Sequence, residues 1–579
     1  MDDRGASMLR SNYPPGSVRW ATRRSQWRAL GLSDEDMLKP KIAVVNTSSE
    51  LAVCFSHLDG VAARVKEGVR AAGGLPFEVR TTAPSDFIHS AGHGGGYILS
   101  ARDLIVNDIE VGVEGAQLDG MICLASCDKT APGQLMAAGR LDIPTLLLAC
   151  GYQPSGSYRG EHCDIEDVFL HACGTPGAEL TAELTEMSED AVRGPGVCAG
   201  MGTANSMHIV AEALGMALPG STPVAADSPA MWREADRAAA RIVELVREDV
   251  RPRAVLTAAA FRNAVRVALS VGASINTVKH LQAVAAEAEV DLDVLGLFAE
   301  YGAVTPLLSA VRPNGPHTIE QFDAAGGARA VMRRLAALDG LLDLDAPTVS
   351  GHIVGENLAG AEATDPATDR DTDTEADAHA EVIRPADRPF SREPLIVILR
   401  GSLCPLGGIV KLSVDHERPT GFSGPARCFE RQEDAVAALA AGAIGAGDVV
   451  VLRGLGPRGR PGMGMASQIV FALDRAGLTG RVAVVTDGQL SGLVNRGIVV
   501  GEVRPEAADG GPLALVRDGD RIRVDVPGRG CELDVEPAEL ERRRAERPTL
   551  PEYGERGWLS VYRRTVQPLA DGAVLRPGS

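Results

Sequence analysis

Cys127, Asp128 and Lys129 stand side by side in the chain, a soft ligand next to a carboxylate next to an amine. They follow the apolar run Leu118-Asp119-Gly120-Met121-Ile122-Cys123-Leu124-Ala125, which reads as a buried strand. The periodic stretch 134–141 after them reads as a helix. In open α/β sheets the carboxyl ends of strands are where ligands bind. Packing alone would explain a buried thiol beside a solvated Asp-Lys pair. A site explains all three groups at one strand-to-helix turn.

The same arrangement recurs. Cys54 follows the strand pattern Lys41-Ile42-Ala43-Val44-Val45-Asn46, and Asp86 follows Phe77-Glu78-Val79-Arg80. Cys198 lies in a Gly-rich turn, 194–205, that opens another helix, where small residues let the backbone approach a ligand. In a parallel sheet, strand ends meet at one edge, so Cys54, Asp86 and Cys127 are expected to cluster. Three thiolates with an open fourth position suit an iron–sulfur cluster or a catalytic zinc. An open iron acts as a Lewis acid on a hydroxyl leaving group. Asp86, Asp128 and Lys129 suggest a second, harder cation held through oxygens. An ammonium has no acceptor, so Lys129 contributes only if neutralised or converted to an anionic form. In the second half, Thr486-Asp487-Gly488-Gln489-Leu490-Ser491-Gly492 follows a strand pattern and presents Ser491 as a reactive hydroxyl or an ordinary turn serine. No histidine nearby in sequence completes a serine triad, which argues against hydrolase chemistry.

These groups need a scaffold to position them. At 579 residues the chain exceeds one compact core, so two or more domains are expected. Strands alternate with helices in the first part, which predicts a parallel sheet with helices on both faces. Residues 1–360 are assigned to this α/β domain. Its later part, 227–342, is mostly helical, and His280 there reads as a satisfied core or surface histidine. Residues 361–380 hold Asp, Thr, Glu and Ala with almost no large apolar residue, and 361–385 is assigned as an acidic linker or insertion. Strand patterns at 395–399, 449–452 and 482–485, with a hairpin at 521–526 and 532–535, predict a smaller β-rich, barrel-like domain over 386–579 docked on the first.

The bulk numbers exclude several classes. A net charge of -19 makes a poor binder of nucleic acid or anionic membranes. Aromatic content is only 4%, so Ala, Val, Leu and Gly must fill the cores. Residues 1–28 lack the apolar segment of a signal peptide, and no stretch is apolar enough to span a bilayer. The ten dispersed cysteines lack disulfide-scaffold spacing, so thiols or metal ligands in a reducing cytoplasm are expected.

The motifs together resemble the dihydroxy-acid and sugar-acid dehydratases, the IlvD/Edd family, nearly end to end. They include Ala83-Pro84-Ser85-Asp86, Ser126-Cys127-Asp128-Lys129-Thr130-Ala131-Pro132-Gly133 and Cys198-Ala199-Gly200-Met201-Gly202-Thr203-Ala204-Asn205. The second half adds Gly424-Pro425-Ala426-Arg427, Arg460-Pro461-Gly462-Met463, Thr486-Asp487-Gly488 and Arg504-Pro505-Glu506-Ala507-Ala508. The resemblance implies that Cys54, Cys127 and Cys198 ligate a [2Fe-2S] cluster, or in some members [4Fe-4S]. It implies Mg²⁺ on Asp86, Asp128 and a carbamylated Lys129, and Ser491 as the base. It further implies dehydration of a branched-chain dihydroxy acid or an aldonic acid to a 2-keto acid, in a homodimer or homotetramer.

Four positions depart from the family pattern. The Mg²⁺-binding Glu after Pro-Gly-Met is Met465, a soft and weak ligand for Mg²⁺. The usual Arg before the Ser-Gly pair is Gln489, the expected His after the next strand is Glu502, and the usual Asn-Leu-Ala-Pro is Ser402-Leu403-Cys404-Pro405. Asp474, Asp487 and Glu502 are the candidates to replace the missing carboxylate. Two readings follow: a dehydratase with a shifted substrate, or a cluster-bearing homologue without ordinary dehydration that serves in binding, as a scaffold or in another reaction.

Overall fold

The computed structural model describes residues 9–173, 177–360, 373–546 and 553–576. The first sheet contains β1 (Lys41–Asn46), β2 (Leu75–Arg80), β3 (Gly120–Ala125) and β4 (Thr145–Ala149). Its order is β2-β1-β3-β4, and every pair is parallel. In register, Val44 lies opposite Glu78 on one side and Ile122 on the other. β1, β3 and β4 are buried at every position, which is why they read as unbroken apolar runs. The chain moves outward from β1 to β2 and then back past β1 to β3. Right-handed crossovers therefore put the connecting helices on opposite faces. Helix Leu58–Ala71 packs with Pro229–Glu248, and Gly96–Ile109 packs with Thr130–Leu141.

A short antiparallel pair, β5 (Gly156–Tyr158) with β6 (Glu161–Cys163), follows β4. The helical layer then runs to Ala336, with Thr203–Ala213 and Asn276–Glu287 at its centre. His280 is fully buried there, yet neither ring nitrogen has a hydrogen-bond partner, so it is a core histidine but not a satisfied one. Part of the segment assigned as linker, 361–372, lies outside the described residues. The rest contains helix Asp373–Val382, whose last turn anchors Val382 and Ile383 in the main core.

The second domain has eight strands: β7 (Ile396–Leu399), β8 (Gly407–Lys411), β9 (Gly421–Phe429), β10 (Val449–Leu452), β11 (Ala483–Thr486), β12 (Val499–Arg504), β13 (Arg521–Asp525) and β14 (Gly530–Asp534). Their order is β14-β13-β9-β10-β11-β12-β8-β7. β9 to β12 run parallel and the flanking pairs antiparallel. A bridge between Arg400 and Gly530 joins the two edges, with Arg400 N donating to Arg529 O at 2.9 Å and Cys531 N donating to Arg400 O at 3.0 Å. The expected barrel is thus almost closed, which leaves little free edge.

Side chains alternate between two cores. Val397, Leu399, Val449, Val451 and Val485 fill the barrel. Ile396, Ile398, Val450, Leu452 and Val484 pack into the core shared with the first domain. Each such side chain contributes about 1.5–3 kcal/mol by leaving water, and a charge at Val450 would break the contact between the domains. β9 was not apparent from the sequence because Gly421, Gly424 and Pro425 interrupt it. Pro425 has no N–H, but its neighbour Ala426 continues the ladder with Val449. Among the described residues no helix is long and apolar enough to cross a membrane.

Candidate active site

The ends of β1, β2 and β3 deliver the first reactive groups to one edge. After β1 a single 3₁₀ turn, Val53–Phe55, carries Cys54. After β2 ends at Arg80, residues 81–85 lead to Asp86, which opens a four-residue turn of helix. After β3 the turn at Cys127 is tied on three sides. Ser126 N donates to Thr130 Oγ1 at 2.8 Å, Thr130 Oγ1 donates to Cys127 O at 2.9 Å, and Ser126 Oγ donates to Cys54 O. The helix begins at Thr130, earlier than its periodicity indicated, so Lys129 is its N-cap residue. Cys198 arrives on a loop tied to the segment after β4, where Val197 N donates to Gly151 O at 3.0 Å and Gln153 N donates to Val197 O at 2.8 Å. Gly196, at φ +115°, lies so close to Tyr152 that a Cβ would stand 2.5 Å from the Tyr152 carbonyl carbon. Asn205 Nδ2 then donates to Cys198 O at 2.9 Å and Gly200 O at 2.8 Å, holding the loop.

Cys54, Cys127, Cys198, Asp86 and Asp128 line one cavity of about 320 Å³ beneath the barrel. Ser491, from the loop after β11, closes it from the second domain, and Ser491 N donates to Ser467 Oγ at 2.7 Å. Lys129 lies under the cavity, wholly out of solvent, with Nζ 2.8 Å from Asp86 Oδ2 and 3.9 Å from Asp128 Oδ2. The structure therefore brings all seven sequence-derived site residues together.

The electrostatics favour bound cations. The Cys127 thiol and burial push the Cys54 thiol far above its ordinary range, and Cys198 adds to this. Burial and the charge of Glu166 raise Cys198 as well. Burial and the Asp86 charge push Asp128 up to about 7, against the pull of Lys129. Burial opposes the charge on Lys129, but Asp86 and Asp128 more than reverse this and raise its pKa. Asp86 Oδ1 is buried without any hydrogen-bond partner, as are Asn205 Oδ1 and Gln489 Oε1 on the same wall. Such acceptors cost free energy unless a donor or cation meets them. The residues fit a thiolate-bound cluster together with a hard, oxygen-bound cation.

Two of the departures sit in this cavity. Met465 and Gln489 pair as a β-bridge, and Gln489 Nε2 lies 3.6 Å from Met465 Sδ. None of the three carboxylates considered as replacements reaches it. Asp474 accepts from Thr479 Oγ1 at 2.7 Å away from the site. Asp487 is buried and accepts from the backbone of Gly454, Leu455 and Ala507. Glu502 is buried against Lys279 and Arg504. The additional carboxylate on the cavity wall is Glu166, whose pKa is raised well above its ordinary value by burial and by Asp164, with Asp128 adding to the effect. In sequence, Asp164-Ile165-Glu166-Asp167 carries only a helix-start signal. Asp164 and Asp167 do form the capping box there, which hides the separate orientation of Glu166. Asn276 was also missed as a cavity residue, whereas Thr203 belongs to the Gly-rich turn already read as part of a site.

A parallel α/β domain roofed by a small barrel, with thiols, carboxylates and a buried lysine gathered at their junction, has the make-up of an enzyme active site. The dihydroxy-acid/6-phosphogluconate dehydratase N-terminal model matches residues 39–357, and the corresponding C-terminal model matches residues 381–573. The chain is 41% identical to the dihydroxy-acid dehydratase of Syntrophobacter fumaroxidans, over 98% of this chain and 99% of that protein. The dihydroxy-acid dehydratase of Pyrococcus abyssi is 41% identical over 98% of this chain and 100% of that protein, and that of Methanococcoides burtonii 40% over the same shares. The chain belongs to the dihydroxy-acid/6-phosphogluconate dehydratase family and is a dehydratase, a hydro-lyase.

Proposed function

We propose that the protein converts a 2,3-dihydroxy carboxylic acid to the 2-keto acid. The observation that carries this reading is the meeting of three thiols, two carboxylates, Lys129 and Ser491 in one cavity. Cys54, Cys127 and Cys198 would hold a [2Fe-2S] cluster, or [4Fe-4S], and Asp86, Asp128 and a carbamylated Lys129 would hold Mg²⁺. When bound, these groups supply Lewis acidity for the departing hydroxyl and stabilise negative charge on a nearby oxygen.

The chain's own residues do the rest. Ser491 Oγ takes the C2 proton. It must act as an alkoxide, because a neutral hydroxyl is far too weak a base near pH 7. The C3–O bond breaks, the departing hydroxide takes from Ser491 the proton that came from C2 and leaves as water, which restores the alkoxide, and the enol tautomerises to the keto acid. Phe87, Ile165, Phe169 and Leu490 give the cavity an apolar wall. That wall favours a branched-chain dihydroxy acid over a polyhydroxylated aldonic acid. Among the described residues lining the cavity there is no arginine or lysine.

All ten cysteines are free, which fits a reducing cytoplasm. A homodimer or homotetramer is part of the proposal and rests on the family resemblance alone. The deciding experiment is a keto-acid assay on anaerobically purified protein, after iron and sulfide have been quantified, over branched-chain and aldonic acids with and without Mg²⁺. Mg²⁺-dependent keto acid from a branched-chain substrate supports the reading. A full cluster with no turnover on any substrate overturns it.

A further inference from the structure

Lys279, Glu502 and Arg504 form a buried charged row between the helical layer and the barrel. Lys279 and Glu502 have no exposure at all. Lys279 Nζ donates to Glu502 Oε1 and to Asn276 Oδ1. Arg504 Nη2 lies 3.3 Å from Glu502 Oε2. Glu502 occupies the left-handed region at φ +53°, within the irregular stretch of β12 between Gly501 and Arg504. A non-glycine residue held there is strained and needs compensation from its surroundings. Neither the metal nor the base assigned above uses this row.

Its inner end reaches the cavity through a chain of hydrogen bonds. An ammonium only donates, so the Asn276 side chain must turn its oxygen toward Lys279. Its NH₂ therefore faces Thr203, and Nδ2 donates to Thr203 Oγ1 at 2.9 Å. Ser274 Oγ, which accepts from Asn276 N at 3.3 Å, lies 2.9 Å from the same Thr203 oxygen. Either of these two hydroxyls can donate to the other. Thr203 and Asp128 line the same cavity, and against the burial that raises Asp128 the Thr203 hydroxyl acts to lower it, as a donor to the carboxylate does.

We propose that Lys279, held by Glu502, is a positioning residue that acts through Asn276 and Thr203 to orient the Asp128 carboxylate for the divalent cation. This rests on the assignment of Asp128 as a cation ligand made above. Partners one step behind a metal ligand fix its orientation, and losing one typically costs 10–100-fold in affinity.

The test is Mn²⁺ binding to the cluster-loaded protein, followed by the loss of the free-Mn²⁺ electron paramagnetic resonance signal. Lys279→Met leaves Glu502 its Arg504 partner and replaces the ammonium with an unbranched side chain of similar length. We expect Mn²⁺ affinity to fall about 10–100-fold with unchanged iron content, and Lys279→Arg to recover most of it. Thr203→Val cuts the same chain at its cavity end. It should weaken Mn²⁺ binding in the same range, and it decides the matter if Lys279→Met does not fold. Affinity within twofold of the parent in folded Lys279→Met or Thr203→Val, while Asp128→Asn abolishes binding, overturns the relay and leaves the cation site standing. No Mn²⁺ binding by the parent, or none lost in Asp128→Asn, overturns both.

Discussion

Lys129 Nζ lies 2.8 Å from Asp86 Oδ2 although the two residues are 43 positions apart, and the lysine is wholly buried while the aspartate is 25% exposed. The pair ties the end of β2 to the end of β3. Removing Lys129 would leave two carboxylates facing each other. Breaking a buried pair typically costs about 3–5 kcal/mol. Partial exposure of Asp86 puts Lys129→Met at the lower end of that range. Urea denaturation of the metal-free protein at pH 8 should show the loss, and less of it at pH 5, where Asp128 is protonated.

Ser491 lines the cavity; its backbone N–H donates to Ser467 Oγ, and its hydroxyl oxygen accepts from Leu493 N at 3.3 Å. Ser491→Ala should lower turnover by about 10²–10⁴-fold, the usual contribution of a positioned proton-transfer group. Iron content and substrate binding should stay unchanged. Turnover within tenfold of the parent would assign the base to another group.

Met465 lines the site, and its Sδ lies 3.6 Å from the Gln489 amide. Met465→Glu places a hard oxygen where a thioether stood. We expect Mg²⁺ affinity, measured by calorimetry, to rise by about tenfold or more. An unchanged affinity would show that the cation lies out of reach of this position.

Glu506 accepts from Arg458 N at 3.0 Å and Gly459 N at 2.8 Å, and so shapes the loop that leads to Met465. Burial, with the Asp487 charge, raises its pKa from 4.5 to about 8. A raised carboxylate binds more protons in the folded state. Its contribution to stability is fully present below pH 4.5 and is lost as pH rises through about 8. Glu506→Gln should therefore flatten the decline of the urea midpoint between pH 5 and pH 9. It should also lower absolute stability, because an amide offers these two N–H groups only one acceptor oxygen.

The sequence by itself determined the reactive groups of the first domain and their common edge. β1, β2 and β3 carry strand patterns that end in Cys54, Asp86 and Cys127, and alternation with helices requires them to run parallel. Their carboxyl ends then coincide without any knowledge of distant contacts. The two packed faces of the barrel were legible for a similar local reason, in the solid apolar runs of β7, β10 and β11. Tertiary structure decided what depends on long-range pairing. β9 has no local strand signal and exists because β10 and β13 flank it. Asp474, Asp487 and Glu502 have the right chemistry but are engaged elsewhere, whereas Glu166 reaches the cavity from a segment that reads only as a helix start. Lys279 and Glu502 are 223 residues apart. A charge inside an apolar helix pattern does not name its partner. Only the packing of the barrel on the helical layer brings that partner close enough to bond.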